Sequence, residues 1–272
     1  MIGQVSLLHT IDTFIEKGLP RFILLVGEAG SGKKLMCQEI SKRVGYPLVS
    51  IGTGVEDIRE AIVNSYRNTE PVIYVIADTD KMSLNAKNAL LKVTEEPPQK
   101  AYFIITVTDT ANTLNTLISR ACVLQMNSYT KSELTQYVNM KYDSMQQGIL
   151  DFITDVCSVP QQIDIIMTYD LQEFTNYINN ICEHLHTVSS ANAFKIEQKL
   201  ALKKDEDRWD VLLVLQAMKY LYHRKYMETQ ENEYFSAYKL VCSCVNDVKY
   251  KNSANKQYCL DELILQIRQC WR

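Results

Sequence analysis

Residues 22–33 decide the fold, and they read FILLVGEAGSGK. The first five residues are all apolar, which predicts a short strand buried on both faces of a sheet. Gly27 and Gly32, followed by Lys33, then give the spacing G-x-x-x-x-G-K of a phosphate-binding loop. Glycines let backbone N–H groups converge on a phosphate, and the next helix adds partial positive charge. The stretch therefore predicts a strand, a phosphate-binding loop and a helix in succession.

Strand-like and helix-like segments alternate around this loop. Apolar runs predict strands over residues 22–26, 47–51, 72–76 and 102–107. Apolar residues at helical spacing predict helices over 33–44, 55–66 and 84–94, with Pro97 and Pro98 after the last. This alternation implies a parallel sheet covered by helices on both faces.

After about residue 127 the pattern becomes helical. Amphipathic helices are predicted over 130–141, 146–156, 160–168, 171–186, 190–203, 207–227, 231–247 and 255–270. We therefore predict an α/β nucleotide-binding domain over 1–127, a three-helix lid over 128–169 and a helical C-terminal domain over 170–272.

Composition narrows the class of protein. The chain has 272 residues, of which 46% are hydrophobic and 22% charged, as in globular domains. A net charge of −3 argues against coating nucleic acid through the chain's own field. No apolar run approaches the length of a membrane span, and the first residues do not resemble a secretory signal, so we expect a cytoplasmic protein. The eight cysteines contain no C-x-x-C pair, which predicts reduced thiols and no metal site.

One position in the loop departs from the motif. Hydrolysing proteins of this kind carry Ser or Thr after the motif lysine, and its hydroxyl holds Mg²⁺. This chain has Lys34 there, and an ammonium group cannot bind a metal ion. We expect phosphate binding to tolerate the change and metal-assisted hydrolysis not to. The candidate nucleotide-binding residues of this degenerate loop are Gly27, Gly30, Ser31, Gly32, Lys33 and Lys34.

Three further stretches follow in order. They are DTDKM at Asp78–Met82, NALLKVTEEPP at Asn88–Pro98 and LNTLISRA at Leu114–Ala121. Together with the loop they resemble the AAA+ subunits of DNA polymerase III-type clamp loaders, most of all the delta-prime subunit. The second stretch is long and unusual in composition, so it is more specific than the loop. The resemblance covers residues 27–121, and Asn255–Ile267 is similar to the last helix of the family's collar domain.

The resemblance implies an AAA+ fold: a P-loop and a parallel sheet with helices on both faces, a small helical lid and an all-α collar. It also implies a ring-like complex that loads a sliding clamp onto primed DNA. The implied partners are other AAA+ clamp-loader subunits, the clamp, and DNA contacted through the complex, with no membrane. By position, Arg120 is the candidate arginine finger acting in trans on a neighbour's ATP. The alternative is that Arg120 pairs with a carboxylate of its own domain.

Further departures from the family concern hydrolysis. The resemblance puts Ala77 at the metal-binding Asp position, Asp78 at the position of the catalytic base, and Gln162 where an arginine senses phosphate. Together with Lys34, they predict a subunit that does not hydrolyse ATP itself, although ATP binding is retained as an expectation. The four-Cys zinc module of many bacterial members is missing from the sequence, so we predict no zinc.

Two other functions are weighed against this one. The first is a gamma-type subunit that hydrolyses ATP with unusual residues. The second is an independent P-loop enzyme such as a small kinase, which would leave the Asn88–Pro98 and Ser119–Arg120 matches unexplained.

Overall fold

The computed structural model describes residues 2–79, 82–187, 209–250 and 253–271. Asp80, Lys81 and the helix predicted over 190–203 lie outside the described residues. The chain divides into two compact units. One is Met1–Lys141 with Val159–Gln161, and the other is Tyr142–Ser158 with Gln162–Arg272. The division into three parts at residues 127 and 169 stays a prediction.

The first unit alternates helices and strands. Its strands are β1 (Phe22–Val26), β2 (Leu48–Ile51), β3 (Val72–Ile76), β4 (Ala101–Val107) and β5 (Cys122–Gln125). Its helices are α1 (Val5–Lys17), α2 (Lys33–Val44), α3 (Val55–Ser65), α4 (Leu84–Glu95), α5 (Asn115–Ile118) and α6 (Lys131–Lys141), with a 3₁₀ turn at Thr110–Asn112.

The strands form one parallel sheet in the order β2-β3-β4-β1-β5. Its centre is fully apolar, since every residue of β1 is buried. Alternate side chains point to opposite faces: Leu24 packs with the core that includes α3, α4 and α5, and Ile23 with the core that includes α1 and α2. The parallel sheet covered on both faces, with the AAA+ order of elements, confirms the predicted α/β class.

The pairing register of the strands places the loops that follow them at one edge of the sheet. Val26, the last residue of β1, pairs with Val107 on one side and with Gln125 on the other. Ile76, at the end of β3, pairs with Ile105 of β4. The loops after β1, β3, β4 and β5 therefore leave the same carboxyl edge of the sheet, where open α/β sheets bind ligands.

The second unit is helical in its described part. Its helices are α7 (Gln147–Val156), α9 (Leu171–His184), α10 (Val211–Thr229), α11 (Asn232–Tyr250) and α12 (Ser253–Gln269), while α8 (Pro160–Ile166) begins in the first unit and continues into the second. α10 packs on α9 and α11. The fully buried Phe174, Tyr222 and Ile178 lie in these interfaces, as the amphipathic patterns predict.

Candidate functional site

The loop after β1 is shaped by two glycines. Gly30 has a φ of +79° and Gly32 a φ of +92°, both in the left-handed region that glycine adopts without strain. α2 begins immediately afterwards, and no side chain caps its first turn. The N–H groups of that turn have no acceptor inside the helix, and with the helix dipole they favour an anion beside the loop.

Lys33 lies inside the loop rather than in solvent. Its side chain is buried, and Nζ donates hydrogen bonds to the carbonyl oxygens of Gly27 at 2.6 Å and Glu28 at 3.0 Å. These contacts fix a positive charge at the place where the loop would hold phosphates. One turn along α2, burial raises the pKa of Cys37 to about 12, so this thiol stays neutral and adds no negative charge beside the loop.

Ser31 is held by the segment that follows β5. Its Oγ lies 3.6 Å from Sδ of Met126, and its carbonyl oxygen accepts a hydrogen bond from the Tyr129 hydroxyl at 2.7 Å. Its N–H donates to the carbonyl of Glu28 at 3.1 Å. Burial raises the pKa of Tyr129, which keeps the hydroxyl protonated as a donor. Ser31 therefore holds the loop in shape through contacts inside the protein.

Lys34 occupies the position at which the motif has a hydroxyl that binds a metal ion. This residue is exposed on the first turn of α2. Mg²⁺ takes oxygen ligands, which an ammonium group does not offer. The structure thus places a second positive charge, next to Lys33, where the motif needs a hydroxyl.

The end of β3 is held in an unusual conformation. Asp78 has a φ of +54°, and its N–H donates to Oγ1 of Thr106 on β4 at 3.1 Å. Thr79 Oγ1 donates to the carbonyl oxygen of Thr106 at 3.1 Å. Thr79 and Thr106 are both buried. Two hydrogen bonds to one residue therefore fix the turn that carries Ala77 and Asp78 at the edge of the sheet shared with the phosphate-binding loop.

A segment distant in sequence packs against the loop. A Cβ built on Gly30 would lie 2.7 Å from both Cβ and Oε1 of Gln161, and 3.2 Å from Cγ2 of Val159. The neighbouring Gln162, the position predicted to sense phosphate in relatives, is buried. Its Oε1 accepts hydrogen bonds from the N–H of Ser158 at 2.8 Å and the Ser158 hydroxyl at 3.2 Å. Gln162 thus caps the start of α8, and Gln161 is the residue beside the loop.

Arg120 lies at a corner of the same unit, just after α5. Its Nη1 donates to the carbonyl oxygen of Thr116 at 2.9 Å, and its Nη2 donates to Oε1 of Glu95 at 3.0 Å. The side chains of Arg120 and Glu95 are 36% and 56% exposed. The own-domain ion pair predicted as the alternative is therefore present, and the guanidinium is also open to solvent. Its role as a finger stays a prediction.

Sequence reasoning missed the pair that ties the N-terminal segment to this edge. The side chain of Gln4 is buried. Its Nε2 donates to the carbonyl oxygen of Asn127 at 2.7 Å, and its Oε1 accepts from the N–H of Asn127 at 2.8 Å. It also missed Thr106, Tyr129 and Gln161. Each of these contacts joins residues between 27 and 131 positions apart, so no local spacing indicates them.

In the described part of the chain, no group of three or more His, Cys, Asp or Glu side chains is arranged to hold a metal ion. No helix there has both the length and the apolar composition to cross a membrane.

Comparison with known proteins relates this chain to one replication family. Residues 50–130 match a family described as DNA polymerase III, delta subunit. Over 195 residues the chain is 27% identical to the DNA polymerase III subunit gamma of Buchnera aphidicola. The matched stretch covers 66% of this chain and 53% of that protein. Over 168 residues it is 26% identical to the subunit tau of Bacillus subtilis, covering 54% and 30%. The chain thus spans about half or less of these relatives.

Solved structures share the fold. A DNA polymerase III gamma subunit-related protein from Thermotoga maritima superposes with a TM-score of 0.50 at 17% identity, covering 97% of this chain and 99% of that one. The RuvB Holliday junction branch migration motor of the same organism gives a TM-score of 0.53 at 14% identity, covering 97% and 88%. The sequence matches thus show a similarity to subunits of DNA polymerase III clamp loaders, and the solved structures show that the chain has an AAA+ fold.

Proposed function

We propose that this chain is a delta-prime-like subunit of a clamp loader, the complex that places a sliding clamp on primed DNA. In this role it does not hydrolyse ATP efficiently and supplies Arg120 to the ATP site of a neighbouring subunit. One observation carries the proposal: the phosphate-binding loop keeps its shape, while the exposed Lys34 occupies the position of a metal ligand.

The chain's own loop fits the phosphates of a nucleotide but not a magnesium ion. Lys33 and the first turn of α2 would hold the phosphates. In hydrolysing P-loop proteins, Mg²⁺ bridges the outer phosphates and neutralises the charge that develops there. Here Lys34 and Ala77 offer no side-chain oxygen for such an ion, and Lys33 and Lys34 place two positive charges next to each other. Of the two positions that the resemblance assigns to the metal ligand and the catalytic base, Ala77 has no carboxylate and Asp78 keeps one.

Arg120 has the properties of a finger that acts on a second subunit. Its guanidinium is partly exposed and its backbone is fixed just after α5, whose Leu117 is buried in the core. A guanidinium keeps its charge at every physiological pH and presents five N–H donors to phosphate oxygens. A finger supplied in trans is worth about 10³–10⁵ in rate.

The partners follow from the family. We infer that they are other AAA+ subunits of the clamp loader, the sliding clamp, and primed DNA bound through the complex. The net charge of −3 supports DNA contact through the complex rather than by this chain alone.

Two ATPase measurements test this role. The isolated chain should show negligible Mg²⁺-dependent ATPase. The complex formed with the AAA+ subunits that co-purify with the tagged chain should lose about 100-fold or more of its rate on Arg120→Ala. Arg59→Ala is the matched control, because Arg59 is also exposed and pairs with a glutamate, Glu56, at 2.8 Å. An unchanged rate with Arg120→Ala, or no AAA+ partner, would refute the proposal.

A gamma-type subunit that hydrolyses ATP itself is the second candidate. It is favoured by the names of the curated relatives, which are gamma and tau subunits, and by the intact Lys33. Mg²⁺-dependent hydrolysis by the isolated chain, abolished by Lys33→Ala, would establish this candidate in place of the first.

A further inference from the structure

Glu95 is the acidic partner of the candidate finger, and it comes from a different element. It is the last residue of α4, whereas Arg120 follows α5, 25 positions later. Both elements are anchored in the same core, through the buried Val93 of α4 and the buried Leu117 of α5. The 3.0 Å contact between Arg120 Nη2 and Glu95 Oε1 therefore joins side chains of two separate elements, each with its backbone fixed by the core. It is not a local pair along one helix.

The contact is too exposed to be important for stability. Ion pairs between exposed side chains contribute about 0–1 kcal/mol, because water and salt screen them. A free arginine side chain, in contrast, has about 2 kcal/mol of rotamer entropy to lose when it is fixed. Arg120 donates to Glu95 through Nη2 and to the Thr116 carbonyl through Nη1. Its side chain has therefore already lost part of that entropy before it contacts a phosphate.

The same weakness means that Glu95 does not withhold Arg120 from a phosphate. Arginine forms charge-assisted hydrogen bonds to phosphate as well as to carboxylate, and an exposed pair contributes only about 0–1 kcal/mol, so little free energy is lost when Arg120 turns to a phosphate. Arginine also has more N–H donors than the two that Glu95 and Thr116 engage. The guanidinium can thus keep its hold on the protein and still present donors outward.

We propose that Glu95 is a positioning residue for Arg120: it holds the guanidinium extended at the surface, so that it meets the neighbour's ATP in one geometry. This inference rests on the proposed role of Arg120 in trans. It predicts that Glu95 acts on the rate only through Arg120, and that it affects kcat rather than KM for ATP, because it touches no nucleotide.

A double-mutant cycle on the ATPase of the complex tests the inference. Glu95→Ala should lower kcat about threefold to fivefold, the change in rate that corresponds to an exposed pair, with KM unchanged. Glu95→Gln should have a smaller effect, because its amide oxygen still accepts a hydrogen bond. In the Arg120→Ala background, Glu95→Ala should have no further effect, because its only route to the reaction is gone.

Glu96→Ala is the matched control, because it removes the same charge from the next residue, which is also exposed. In the isolated chain, ¹⁵N relaxation of the Arg120 Nε–H group should show increased motion on Glu95→Ala and no change on Glu96→Ala.

The outcomes separate the two levels of the proposal. If Arg120→Ala leaves the rate unchanged, the finger itself is refuted and the role of Glu95 with it. If Arg120→Ala lowers the rate but Glu95→Ala does not, or if Glu95→Ala lowers it equally in both backgrounds, only the positioning role of Glu95 is refuted. A fall in rate with Glu96→Ala equal to that with Glu95→Ala would also refute it, as a general effect of charge.

Discussion

The phosphate-binding loop and the Arg120 corner belong to the same compact unit, but the loop buries its charged group and the corner exposes it. In the loop, Lys33 is buried and bonded to backbone carbonyls, and Ser31 is held by Tyr129. At the corner, Arg120 is partly exposed and held by two contacts. The loop is built as a closed structural element, whereas the corner presents its charge outward. The difference is that the loop encloses its charged group within the protein, while the charge of Arg120 remains open to solvent.

The largest effect should come from crowding the loop. Gly30→Ala should lower the free energy of unfolding by about 2–3 kcal/mol, because it adds left-handed strain and a Cβ 2.7 Å from Cβ of Gln161. Gly45→Ala is the matched control: Gly45 also has a positive φ, +73°, but its added Cβ would meet nothing within 4 Å. It should lose only about 1 kcal/mol.

Chemical denaturation of both glycine variants measures this difference. Equal losses of unfolding free energy in the two variants would mean that the segment around Gln161 does not pack tightly against the loop. The contrast between a closed loop and an open Arg120 corner would then be wrong.

The next effect concerns the charge inside the loop. Lys33→Ala should weaken binding of a non-hydrolysable ATP analogue about 10- to 100-fold, because it removes a charged donor to phosphate. Lys42→Ala is the control, an exposed lysine near the end of the same helix. Calorimetry with and without Mg²⁺ should give the same affinity for the wild-type chain, because Lys34 and Ala77 supply no metal ligand. Binding that Mg²⁺ strengthens tenfold would contradict this picture of the loop.

The elements that could be predicted from the sequence are those set by local patterns. β1, the loop and α2 form a continuous signal in which five apolar residues, three glycines and Lys33 agree with one another. The bounds of β3 match the predicted 72–76, and α4 ends at Glu95, just before Pro97 and Pro98. In these segments, local preference and tertiary packing favour the same structure.

The missed elements depend on the rest of the fold. β5 has four residues, of which only Leu124 is buried, so its short pattern is not strand-like by itself. α1, in contrast, places Leu7, Leu8, Ile11, Phe14 and Ile15 against the core at helical spacing, so a local pattern could have predicted this helix. The site shows the same limit. The loop and Arg120 are visible as motifs, whereas Thr106, Gln161 and Glu95 take part only because the fold brings distant segments together.

A smaller effect is expected at the turn beside the loop. Thr106→Val should lower the free energy of unfolding by about 1–2 kcal/mol, because the N–H of Asp78 loses the acceptor that holds it at 3.1 Å. Thr106→Ser keeps the hydroxyl and should stay closer to the wild type in chemical denaturation. If Thr106→Val is as stable as the wild type, the left-handed turn at Asp78 does not depend on this bond.

The smallest effect is expected from restoring the hydroxyl of the motif at position 34. Lys34→Thr returns the hydroxyl that the motif needs, yet it should give the isolated chain no measurable ATPase. The reason is that a magnesium ion at the loop would still find a methyl group at Ala77 instead of a carboxylate. The informative comparison is Lys34→Thr with Ala77→Asp in one chain, which should make nucleotide binding depend on Mg²⁺ when the single variant does not. Turnover restored by Lys34→Thr alone would mean that Ala77 is not limiting and that the loop is one residue away from an active site.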